Sequence, residues 1–210
     1  MATSSHLVHL KQIYHSMFKK HETNILLQQD LSPHRGKATR IGRPIDYTLA
    51  MNKQQVYQRI LARLAEDLEI AIRAANTAHE TATHEENVAE NKYDTLGLEA
   101  AYLAVGQSRR VEEIRLALSR YESLQLRDFD IESGIQVSAL VELANDSGEQ
   151  LWVFLGPDAA GLKVQQDGRE VLVITSRAPL GGALLHHHPG DELEVGQGRN
   201  LQRYEIIEAY

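Results

Sequence analysis

From Asn52 to Glu80 the chain contains neither glycine nor proline, and its apolar residues fall at helical spacing: Val56, Ile60, Leu61, Leu64, Leu68, Ile72 and Ala75. Gln, Glu, Arg and Ala fill the remaining positions, all good helix formers. The pattern predicts a helix over about 53–80. A second pattern predicts another over about 88–123, with Leu96, Leu103, Val111, Ile114, Leu118 and Tyr121 on its stripe. Gly97 and Gly106 weaken this second helix locally without breaking it. Neither stripe can stay exposed, so the two helices are expected to pair as an antiparallel hairpin. At 1.5 Å per residue each arm is roughly 40 to 50 Å long, more than a small domain needs for its core. The hairpin should therefore project.

Between the two patterns lies ATHEENVAENKYDT, residues 82–95, with Glu85, Glu86, Glu90 and Asp94 crowded together. Like charges at this spacing repel one another unless something positive visits them. A solvated bend is the plain reading, since a helix dipole also favours acids at its N-terminus. The other reading makes this stretch the working end of a projecting hairpin.

After Asp128 the periodicity shortens to that of strands. IQVSALVEL (135–143), QLWVFL (150–155), EVLVIT (170–175), DELEV (191–195) and QRYEIIEA (202–209) read as β-runs. NDSGE, GPDAAG, QDGR and GQGRN separate them as turns. PLGGALL predicts a short helix between the third and fourth runs. The fold class is therefore α+β: a long antiparallel helical hairpin, then a small, mostly antiparallel β domain of about five strands with one short helix. The expected division is 1–50, 51–127 and 128–210.

The first fifty residues differ in kind. They hold seven Lys and Arg against three acids and half of the ten His, whereas the remainder holds fifteen against twenty-six. Their middle, SPHRGKATRIGRP, is basic, polar and broken by Pro and Gly, and cannot build a core. Residues 1–50 are expected to be a basic, disordered extension preceding a natural start at Met51. The rival reading is an arm that binds a partner. A net charge of −7 argues against broad contact with nucleic acid. The absence of cysteine excludes disulfides, thiolate metal sites and a cysteine nucleophile. No apolar run approaches a membrane span.

Two stretches carry a resemblance. AENKYDTLGLEAAYLAVGQSRRVEEI (89–114) is similar to the second-helix pattern of the Gre family of bacterial transcription elongation and transcript-cleavage factors, the GreA/GreB-like proteins. ITSRAPLGGALLHHHPGDELEV with YEIIEAY (174–195 and 204–210) resembles that family's C-terminal signature. The resemblance covers most of residues 53–210. It implies an FKBP-like β domain at the outer rim of the RNA polymerase secondary channel, with the coiled coil threading the channel. It also implies that tip carboxylates help hold a second Mg²⁺ while the polymerase cuts its own backtracked RNA. The protein would then be no enzyme alone and would have no cofactor of its own beyond a Mg²⁺ shared with the polymerase. It would be a cytoplasmic monomer that meets nascent RNA only indirectly, at the tip. Carried over residue by residue, the family pattern favours Glu90 and permits Glu86 as the catalytic and metal-holding pair, with Glu85 and Asp94 as auxiliaries. The family has Glu-Asn, one residue, then Glu-Tyr. Here Lys92 alone separates Asn91 from Tyr93, and Asn87 stands where an Asp is expected. A channel-binding regulator without cleavage activity is the alternative this departure raises.

Other motifs point away from independent catalysis. His186, His187 and His188 are adjacent, so in regular structure they point apart and converge poorly on one metal ion; a surface loop explains them. Arg109 and Arg110 read as partners of acids such as Glu113. PLGGALL lacks the spacing and lysine of a phosphate loop. Two further classes remain: a peptidyl-prolyl isomerase, which needs an aromatic-lined pocket, and a self-pairing coiled-coil scaffold.

Overall fold

The computed structural model describes residues 51–83 and 96–210. Helix α1 spans Lys53–Thr83 and helix α2 spans Leu96–Glu122. Asn52 caps α1, its side-chain oxygen accepting the Gln55 backbone N–H at 3.0 Å. The helices pack on each other along most of their length. Six strands follow: β1 Leu140–Asn145, β2 Gln150–Gly156, β3 Lys163–Gln166, β4 Arg169–Thr175, β5 Glu192–Val195 and β6 Gln202–Ala209. Helix α3, Pro179–Leu184, lies between β4 and β5, and a short 3₁₀ turn covers Gly198–Asn200.

The strands form one sheet in the order β3-β4-β2-β1-β6-β5. Every neighbouring pair is antiparallel except β2 with β4, which run parallel from Trp152 opposite Val171 to Gly156 opposite Thr175. The expected count of five strands falls one short. KVQQ carries too few apolar residues to read as a strand, yet pairs with β4 from Lys163 opposite Leu172 to Gln166 opposite Arg169. The run expected to begin at residue 135 begins only at Leu140. Ser138 sits at φ 88°, outside extended conformation, and its backbone N–H bonds Leu155 O at 2.8 Å.

Two cores flank the sheet. Leu140, Trp152, Phe154, Val164, Val171 and Val173 pack against the base of the hairpin. Val141, Leu143, Val153, Leu155, Ile206 and Leu184 of α3 fill the opposite face. Strand alternation thus splits β1 and β2 between the two cores, which fixes their register.

The hairpin seam departs from the expected stripe in its far half. On α1 the buried or half-buried positions at three- or four-residue spacing are Tyr57, Ile60, Leu64, Leu68, Ala71, Ala75, Ala78 and Ala82. On α2 they are Gly97, Ala100, Ala104, Gln107, Val111, Ile114, Leu118 and Tyr121. Near the sheet the seam is built of large side chains; far from it, of Ala and Gly, with one Gln. Leu103, expected on the stripe, is instead 56% exposed, because Ala104 takes the seam position beside it. The side chain of Leu96 lies outside the description.

Candidate functional site

α1 ends at Thr83 and α2 starts at Leu96, so Glu85, Glu86, Glu90 and Asp94 fall between them in the chain and lie outside the described residues. The described structure supplies the stalk that carries this stretch. At 1.5 Å per residue α1 is about 46 Å long and α2 about 40 Å.

The stalk is mounted firmly. Tyr57 Oη donates to Tyr121 O at 2.7 Å, and Tyr121 Oη donates to Asp158 O at 3.1 Å. Tyr121 is fully buried, with ring centroids 6.5 Å from Tyr57 and 6.3 Å from Phe154. Burial, then the Asp158 carboxylate, pushes its phenol well above the ordinary range. The buried Gln166 on β3 donates to Gln55 Oε1 at 2.6 Å and accepts from Arg59 Nε, bonding α1 to the sheet edge. Arg120 pairs with Asp158, which also faces Arg177 at 3.9 Å. Lys53 donates to Arg127 O, and its burial lowers its pKa against the pull of Asp128.

The far half of α2 wears its large apolar groups outside. Leu98, Tyr102 and Val105 recur at four- and three-residue spacing and are 56%, 69% and 51% exposed, with Leu103 beside them. An open groove of about 630 Å³ continues this face toward the sheet, lined by His79, Ala104, Val105, Ser108, Arg109 and Leu116. The seam explains the arrangement. Small residues let two helices approach to about 8 Å, the short end of the usual range, giving a thin stalk. Large side chains that the seam does not use then face outward. Sequence reasoning missed these residues. Small residues recurring on both patterns, at 71-75-78-82 and at 97-100-104, were the available signal, since small side chains on two facing stripes let the helices close on each other.

The other expected residues are placed as follows. Arg110 lies 3.5 Å from Glu113, one turn away, whereas Arg109 lines the groove. The three histidines follow α3 in a loop. His186 Nδ1 lies 3.2 Å from Ser133 O, and His188 Nε2 lies 2.9 Å from Ile131 O. Among the described residues no group of His, Asp or Glu is arranged to hold a metal ion. Trp152 and Phe154 are core beneath the stalk, and Trp152 also stacks on Tyr210 at 6.1 Å. No helix among the described residues is long and apolar enough to cross a membrane.

No profile of a known protein family matches the chain. No curated protein matches it in sequence. Among solved structures, the chain is similar to the GreA factor homolog 1 protein of Thermus thermophilus at 23% identity, covering 77% of this chain and 96% of that one, with a TM-score of 0.30. It is similar to Gfh1 of Thermus aquaticus at 23% identity, covering 75% and 94%, with a TM-score of 0.31. Similarity to the transcription elongation factor GreA/GreB from Nitrosomonas europaea is 24% identity, over 48% of this chain and 78% of that one, with a TM-score of 0.29.

Proposed function

We propose that this protein is a transcription elongation factor that binds bacterial RNA polymerase in the cytoplasm and feeds its helical hairpin into the secondary channel. One observation carries the reading: the far half of the stalk is built inside out. Alanines fill its seam while Leu98, Tyr102, Leu103 and Val105 face outward. A helix pair that exposes a contiguous apolar face is made to be covered by something else. A narrow rod of about 40 Å fits a cavity better than a flat surface. The Gre-like motifs in residues 89–114, 174–195 and 204–210 supply the identity of the partner.

In this reading Glu86 and Glu90 are the tip carboxylates. They would help hold a Mg²⁺ shared with the polymerase, which cleaves its own backtracked RNA. Mg²⁺ takes carboxylate and water oxygens and is commonly shared with substrate phosphates. A second metal stabilises attacking and leaving oxygens in phosphoryl transfer. The ion also reconciles an acidic tip with an anionic RNA. The protein itself contributes length, position and charge, and the polymerase contributes the catalytic centre.

The missing second acid between Asn91 and Tyr93 favours one other reading: a channel occupant that regulates the polymerase without speeding cleavage. One assay separates them. A purified, backtracked elongation complex in Mg²⁺ is given the intact chain or its E86A/E90A variant. Faster cleavage that the double substitution abolishes supports the metal-holding tip. Binding that leaves the cleavage rate unchanged supports the occupant. Absence of binding removes the polymerase reading altogether.

A further inference from the structure

Helix α2 carries two stripes on opposite faces. The inner one, running from Gly97 through Ala104 and Val111 to Tyr121, is the seam with α1. The outer one is Leu98, Tyr102, Val105, Arg109, Glu112, Leu116 and Ser119, and every member is exposed. Its spacing alternates four and three residues without a break, the heptad repeat of a helix that packs against another helix. Five large apolar residues described on α2 are exposed, and four of them fall on this stripe; Leu103 alone stands off it. The open groove lined by Val105, Arg109, Glu112 and Leu116 follows the same line. The two charged members differ in their pairing. Glu112 accepts from Arg115 at 2.5 Å, a contact within one turn of the same helix. Arg109 has no ion pair among the described residues. An unpaired guanidinium in an otherwise apolar stripe needs an anion from whatever covers that stripe.

We propose that the outer stripe is covered by the same stripe of a second copy of this chain, in an antiparallel two-fold pair of hairpins. Charge selects both the occupant and its direction. A two-fold interface must complement itself, each residue meeting a partner that meets it in return. With the axis midway between residues 109 and 112, Arg109 faces Glu112 of the second copy, and the contact is made twice. In the same register Val105 faces Leu116 and Tyr102 faces Ser119, each also twice. On the flank, Glu99 falls beside Arg120. A parallel pair would instead set Arg109 against Arg109 and Glu112 against Glu112, covering like charges with like. One helix from each copy covers no more than about 1,200 Å², the size of weak, exchanging interfaces, so the dimer belongs in the micromolar range. The pair hides Leu98, Tyr102 and Val105, the residues that the proposed function presents to the polymerase. Resting on that reading, the dimer is a stored form that must part before the stalk enters a channel.

Sedimentation equilibrium of the full-length chain, from about 1 to 200 µM, tests the pair. The mass should rise from 23.6 kDa toward twice that value. Arg109→Glu and Glu112→Arg should each weaken association about tenfold or more. An equimolar mixture of the two variants should restore it, because each then supplies the charge the other lacks. The doubly exchanged Arg109→Glu/Glu112→Arg chain should restore it as well. Direction is read by cross-linking, since the chain has no cysteine of its own. On oxidation, Val105→Cys mixed with Leu116→Cys should give a disulfide-linked dimer, and neither variant alone should do so. A single-chain mass at every concentration overturns the dimer. Association that both single charge exchanges leave intact, or weakening that the double exchange does not restore, overturns the register. Val105→Cys that cross-links to itself overturns the antiparallel direction. No polymerase is present, so a missing dimer leaves the polymerase reading standing, and a chain that fails to bind polymerase leaves the dimer standing.

Discussion

Tyr121 has no exposed surface, yet it carries a hydroxyl into the contact between stalk and sheet. That hydroxyl is satisfied by Asp158 O, so the site tolerates it as a neutral phenol. An ionised phenolate there would face burial and the Asp158 carboxylate together. Its folded-state pKa is therefore raised above its ordinary value of 10.0. The sign follows from linkage: below pH 10 both states keep the proton, and above it only the unfolded state loses it. Stability should be intact to about pH 10 and fall beyond it, Tyr57 adding to the fall in the same direction. Urea denaturation at pH 8 and pH 11 should show a large loss for the wild type and a smaller one for Tyr121→Phe. That variant should also cost about 1 kcal/mol at pH 8 through the lost hydrogen bond. Gly156 is the reciprocal feature. A Cβ there would lie 2.0 Å from Tyr121 Oη, so Gly156→Ala should cost about 1–3 kcal/mol by overpacking, read in the same denaturation series.

At the scale of the element, the two halves of the hairpin should respond oppositely to truncation. Ile114→Ala removes a buried seam side chain near the sheet and should cost about 2–5 kcal/mol. Leu103→Ala removes a group of the same kind from the exposed face and should change stability by no more than about 0.5 kcal/mol. Ala78→Leu should force the far half apart, raising amide exchange there while residues near the sheet stay protected. These contrasts mark what the sequence made legible. The hairpin was readable because α1 has no Gly or Pro and keeps its period throughout. The strands at 150–155 and 170–175 were readable because they are short apolar runs bounded by turn residues. The seam of α2 was misread at Leu103 because a large apolar residue was assumed to face inward, whereas the small residues Gly97, Ala100 and Ala104 hold the seam positions there. β3 was missed because its Lys, Val and two Gln carry almost no apolar signal, and pairing with β4 makes it a strand. The ring contacts of His186 and His188 reach residues more than fifty positions away, which no local pattern records. The acidic stretch was found by its charge alone, and its pairing of Glu86 with Glu90 is a matter for the cleavage assay.

For the molecule as a whole, buried and exposed large apolar groups separate along the hairpin. The large side chains of the two cores lie at the sheet and the lower part of the hairpin, where Gln166 ties α1 to β3, Tyr121 ties α2 to the loop after β2, Tyr57 joins the two helices and Lys53 holds the connection before β1. The far half contributes little buried apolar surface and offers its apolar groups outward. Substituting Leu98, Tyr102 and Val105 together by Ser removes area that folding does not bury. Stability should then stay within roughly 0.5 kcal/mol per site of the wild type in thermal or urea unfolding. Under the proposed function the same triple variant should lose most of its hold on RNA polymerase, seen as weaker binding and as the loss of any effect on cleavage. A stalk that merely positioned the acids would behave otherwise: binding would survive the three serines, and only the E86A/E90A substitution would alter cleavage. A loss of stability well beyond that bound would mean that the face is covered within the protein itself, and the inside-out hairpin would then say nothing about a partner.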